Sequence, residues 1–190
     1  MANWTKVKWT EAGQITALLD WPSVETKDLA AAPEAFFAGL RTQGRLDDAA
    51  MFLGQALPRY EVVAWAARAL QDLRPARESA LPADTQALGA AQAWVKDPSE
   101  PRRRAAFEAS NAASEDAPER FAALAAFFSG GSMAPDNCPP VPAPREAAGK
   151  FAAAAVILAA TRTADRQAAL ARALDLGAAL AAEGRPSGSA

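Results

Sequence analysis

From Pro33 onward the chain is written in short stretches in which apolar side chains recur three and four residues apart, and a proline or glycine closes each stretch. That spacing puts the apolar residues on one side of a helix. Alanine and leucine dominate while β-branched residues are few, which favours helix over strand. Pro33 opens PEAFFAGLRTQG, where Phe36, Phe37 and Leu40 share a side and Gly44 offers a stop. In RLDDAAMFLGQAL the residues Leu46, Ala50, Leu53 and Leu57 keep one side, and Pro58 forces a boundary. A third helix is predicted from Pro58 to about Leu73, and a fourth from about Ala83 to Lys96. Ser99 reads as the N-cap of EPRRRAAFEASNAA, and Pro118 opens PERFAALAAFF, stopped by Gly130 and Gly131. Pro144 starts REAAGKFAAAAVILAATR, and Asp165 caps DRQAALARALDLGAALAAEG, with Gly184 beyond its end.

Two segments escape this pattern. SGGSMAPDNCPPVPAP, residues 129–144, is too rich in proline for a helix or a central strand and predicts an extended connection over the surface. WTKVKW near the start is the one candidate strand. The expected fold is therefore all-α: a compact array of about seven to eight short helices rather than an open solenoid, with a short extended N-terminal arm. Residues 1–32 are assigned to the arm and a short helix, 33–183 to the helical domain, and 184–190 to a disordered tail.

Composition narrows what such a fold does. The 190 residues suit a single domain with a genuine core, and 51% hydrophobic with 22% charged residues is ordinary soluble usage. A net charge of −2 argues against a nucleic-acid partner, since phosphate binding shows as a cationic excess. The chain has no histidine, which removes imidazole bases and the common zinc sites. Its single cysteine, Cys138, forms no internal disulfide and has no neighbour to activate it. The N-terminus lacks the apolar core of a signal peptide, and the run from Phe151 to Ala160 is too short to span a bilayer, so no membrane insertion and a cytoplasmic location are expected. Neither cofactor nor metal is predicted.

ALPRYEVVAWAARALQD, residues 56–72, raises the sharpest question about a site. Glu61, Arg68 and Asp72 form a narrow polar stripe on an otherwise apolar helix, and Trp65 falls at its edge, able to cover an Arg68–Asp72 pair. Such a helix belongs near the middle of the domain. Ordinary packing is the first expectation for Trp65; an exposed anchor for a partner is the alternative. The arm NWTKVKW interleaves Trp4 and Trp9 with two lysines and is expected to fold back on the domain, or else to clamp a partner.

FLGQALPRYEVVAWAARAL, AWVKDPSEPRRRAAFEAS, FAALAAFFSGGSMAP and PPVPAP together resemble a family of uncharacterised bacterial proteins described as a domain of unknown function. Its members show a similar Leu-Pro-Arg-x-Glu stretch leading to paired tryptophans, then a Ser-Gly-Gly-Ser segment and a proline-rich connection. Leu57, Pro58, Arg59, Glu61 and Trp65 match, over about residues 33–183, while Ala64 stands in place of the first tryptophan. The resemblance implies an adaptor or chaperone role beside type VI secretion systems.

The remaining motifs favour structure over chemistry. SGGS lacks the lysine and the preceding strand of a phosphate loop and is expected to end a helix. PPVPAP is expected to strap the protein's own helices, with recognition by a partner's aromatic groove as the alternative. Arg102, Arg103 and Arg104 predict a solvated face, or pairing with Glu100 or an acidic partner. Asp47 and Asp48 suit the start of a helix. The expected function is a non-catalytic helical protein–protein interaction module, an adaptor or chaperone accessory to a bacterial secretion assembly, with Trp65, Arg59, Glu61, Arg68, Trp4 and Trp9 as partner-binding candidates. A small-ligand carrier with an interhelical pocket and an enzyme with a carboxylate or lysine site are the rivals.

Overall fold

A computed structural model describes residues 3–19, 21, 26–74, 81–135 and 137–182. The fold is all-α, as the pattern predicts. Among the described residues, two short helices, α1 (Ala12–Thr16) and α2 (Thr26–Leu29), precede eight longer ones: α3 (Pro33–Thr42), α4 (Leu46–Ala56), α5 (Arg59–Leu73), α6 (Pro82–Lys96), α7 (Glu100–Ala112), α8 (Pro118–Phe128), α9 (Ala147–Thr161) and α10 (Arg166–Ala182). The candidate strand in the arm forms no ladder; the one β-feature among the described residues is an isolated bridge between Ser132 and Pro142. The assigned tail, 184–190, lies outside the described residues.

Local chemistry sets the boundaries. Leu57 is extended, with ψ 142°, because the following Pro58 disfavours the helical region, and α5 starts straight after it. Gly44 takes a left-handed φ of 73° just past the end of α3, where a side chain would be strained. The Asp165 carboxylate accepts the Ala168 N–H at 2.9 Å and caps α10 as expected. Ser99 holds the N-cap position of α7, but its hydroxyl turns to Asp97 instead of the helix. Pro144 does not open α9: residues 144–146 form a turn, in which the Ala147 N–H bonds the Pro144 carbonyl, and the helix begins at Ala147.

Packing centres on α9, which touches α4, α5, α8 and α10. Its sequence is apolar almost all round, so it is buried on several sides instead of presenting one stripe to a core. It crosses α4 at two glycines. A Cβ added to Gly149 would lie 2.5 Å from the Gly54 carbonyl oxygen and 2.5 Å from the Gln55 amide nitrogen, so the two backbones meet with no room for a side chain. No helix among the described residues is long and apolar enough to cross a membrane.

The arm folds back on the domain. The Lys6 N–H and the Thr5 hydroxyl donate to the Ala181 and Ala182 carbonyls at the end of α10, and Trp4 is buried with its ring 5.1 Å from Phe37.

Candidate functional site

Trp65 is fully enclosed, at 0% exposure, so it is core and offers no anchor to a partner. Its indole N–H donates to the Ala173 carbonyl of α10 at 2.7 Å. Gly177, one turn on, makes the notch for the ring: a Cβ there would sit 2.8 Å from the indole nitrogen and 2.5 Å from Leu53 Cδ2. The wheel position at the edge of a polar stripe is correct for α5 alone, and α10 covers that edge. Arg68 is exposed, and no ion pair joins it to Asp72 among the described residues.

Trp9 has a different setting. It is half-buried, and its indole N–H donates to the Gln55 carbonyl at 3.1 Å. Gln55 lies in the last turn of α4, where carbonyls lack helical partners, so the arm's indole satisfies one of them. The Gln55 side chain in turn donates to the Glu146 carbonyl before α9, at 3.0 Å. One residue thereby ties the arm, α4 and the start of α9 together.

These three segments, with the start of α5 and Leu18, enclose a recess of about 270 Å³. Trp9, Leu18, Leu57 and Val62 give it apolar walls. Lys8, Arg59 and Arg145 give it three exposed cations, and no carboxylate lines it among the described residues. No described residue pairs with the charged ends of these three. Of the carboxylates adjacent in sequence, Glu61 is engaged by Lys6 of the arm at 3.5 Å, and Glu146 lies outside the lining. Helices α5 and α9 both begin here, neither with a side-chain cap, and α4 ends here, so dipole ends of both signs meet at the recess and its positive field comes from the three cations. The structure thus brings Trp9 and Arg59 together and puts Glu61 beside them, while it separates off Trp65, Arg68 and Trp4. Lys8 and Arg145 complete the set; Arg145 follows a proline run and carries no periodic signal.

The proline-rich connection leaves this end of the domain. Its neck is pinned by the Met133 N–H to the Val141 carbonyl, at 2.8 Å, and by the Ser132 hydroxyl oxygen, which accepts from Ala134 and Val141 at 3.0 Å each. Residues 137–142 face solvent, with Val141 45% exposed, so the connection does not strap the helices as expected.

Arg103 holds the neck in place, and here the pairing with Glu100 holds while the solvated face fails. It is 3% exposed: it donates to both Glu100 oxygens at 2.6 Å, to the Phe127 carbonyl and to the Ser132 carbonyl at 2.7 Å each, and its guanidinium lies over the Phe127 ring. Every acceptor is a carbonyl or carboxylate aimed at one planar fork, which arginine suits. Gly131, at φ 65°, lets the loop pass: a Cβ there would come within 2.8 Å of Arg103 Nε. SGGS is structural in this sense, ending α8 and wrapping the arginine. Arg104 adds bonds to Glu100 and to the Ala134 carbonyl. The two arginines hold the Glu100 carboxyl below its ordinary value of 4.5, first through the hydrogen bond from Arg103, with part of the effect offset by desolvation.

A second, shallower trough of about 530 Å³ runs beside Trp4, Phe37 and Leu46, crossed by Arg41, which pairs with Asp175 at 2.7 Å. Among the described residues no group of three or more His, Cys, Asp or Glu is placed to hold a metal ion.

The fold and this end of it define a class: an all-α domain that carries a small basic recess beside a rigidly held proline-rich loop. Residues 36–181 match the model of a family of unknown function, DUF6931, and the chain belongs to that family. No curated protein and no solved structure gives a significant match to the chain.

Proposed function

We propose that the protein is a non-catalytic docking module that receives a protein partner at the recess formed by Trp9, Leu57, Arg59 and Arg145. The observation that supports this most is convergence. Leu57, Pro58 and Arg59 line the recess, Gly130 lies against Arg59, and the connection carrying PPVPAP ends at Arg145 on its rim. Segments far apart in sequence thus meet at one accessible place, and its three cations form no ion pair with another described residue. At about 270 Å³ the recess is below the roughly 300–1,000 Å³ of clefts that enclose small ligands, which favours a partner's side chains over a carried molecule. Glu100, the carboxylate whose titration is displaced, spends its charge on two arginines of its own helix, which disfavours the enzyme reading. In the setting implied by the family resemblance, the module acts as a cytoplasmic adaptor or chaperone accessory to a bacterial type VI secretion assembly.

Affinity capture from the native cell, comparing the wild type with Arg59→Ala, tests this. The expected result is a defined protein retained at fixed stoichiometry by the wild type and lost by the variant at unchanged melting temperature. A wild type that retains only a small molecule, or a variant that holds the same protein equally well, overturns the proposal. Trp65→Ala is unsuitable as the control, since it reports on the core.

A further inference from the structure

Resting on the docking reading above, we infer that the recess takes an acidic segment of the partner protein, with one apolar side chain entering between Trp9 and Val62 while flanking carboxylates meet Lys8, Arg59 and Arg145. Charge complementarity carries the first half. Three exposed cations surround a lining that holds no carboxylate among the described residues, in a chain whose net charge is −2. Such a chain has no general cationic excess to draw acidic peptides, so the local cluster matters. Shape and polarity carry the second half. Trp9, Leu18, Leu57 and Val62 give one side of the lining an apolar face amid polar groups, and a volume of about 270 Å³ has room for a side chain but not for a folded element. A bare inorganic anion would leave that face wet. A nucleic acid would need a longer track of cations than three residues at a single recess provide.

The geometry also predicts where the energy resides. Lys8, Arg59 and Arg145 are exposed at the rim, so they govern encounter and salt dependence, whereas the Trp9 face excludes water from the inserted side chain. The Trp9 ring is held in place by its bond to Gln55, so the wall exists before the partner arrives.

The test is fluorescence anisotropy of the full-length protein with a labelled, glutamate-rich synthetic peptide bearing one central phenylalanine. Saturable binding is expected, weakening as salt is raised. Arg59→Glu and Arg145→Glu should each weaken it about tenfold or more with unchanged circular dichroism. Replacing the peptide's phenylalanine by serine should weaken it comparably, and Trp9→Phe should preserve more binding than Trp9→Ala. Equal binding of a glutamine-for-glutamate peptide overturns the inference, as does indifference to both charge reversals or displacement by succinate as readily as by unlabelled peptide. If these fail while capture still yields a partner lost on Arg59→Ala, the docking module stands and only the acidic occupant is wrong.

Discussion

Trp65 and Trp9 make the same hydrogen bond in opposite surroundings. Each donates its indole N–H to a helix carbonyl, Trp65 to Ala173 and Trp9 to Gln55. Around Trp65, α10 closes over the ring and Gly177 opens a notch for it, leaving no surface. Around Trp9 the covering element is a short arm, and one face of the ring becomes the wall of a recess. Whether an aromatic residue becomes core or contact surface thus depends on what arrives from elsewhere in the chain, and the ring's own helix or arm does not decide it.

Truncation should separate the two most strongly. Trp65→Ala should cost about 3–5 kcal/mol, a fall of order 10 °C in melting temperature by calorimetry, because it empties a fully enclosed site. A loss under about 1 kcal/mol would mean that the ring is not core. Next comes Gly177→Ala, which pushes a methyl group into the same site and should cost about 1–3 kcal/mol in chemical denaturation. Trp9→Ala should cost roughly 1–2 kcal/mol, since the ring is only half-buried and gives up one hydrogen bond, and the protein should still fold.

Glu100→Gln is a smaller change at the neck of the proline-rich connection, about 1 kcal/mol at pH 7. A carboxyl held below its ordinary value contributes stability above that value and loses it as pH falls through the depressed one. The gap between wild type and variant should therefore be full at neutral pH and close as pH drops below 4.5, in melting curves taken across pH. Smallest of all, Arg59→Ala should change stability by no more than about 0.5 kcal/mol while abolishing partner capture, the signature of a side chain that works outward.

The helices were legible because their punctuation is local. Pro33, Pro58, Pro118 and Gly44 act on their own neighbours, and the elements follow. The burial of Trp65 was legible only as a preference, since its cover is Gly177, far along the chain. Arg103 misled for the same reason: an arginine run at a helix start looks solvated until a loop wraps its carbonyls around it. At the recess, Trp9 could be picked out from the aromatic–lysine arm, Arg59 only through the family resemblance, and Glu61 from the polar stripe of its helix. Their meeting could not, because it depends on Gln55 linking residues of three separate segments, and Lys8 and Arg145 gain meaning only from that junction.

Gln55 therefore makes the recess a report on the completeness of folding. Until α9 has docked on α4 and the arm has swung back, the Glu146 carbonyl, the indole of Trp9 and the cations are scattered along a loose chain. The carbonyl of Gln55 holds the arm and its side-chain amide holds the start of α9, so the recess is a property of the tertiary fold and of no one segment.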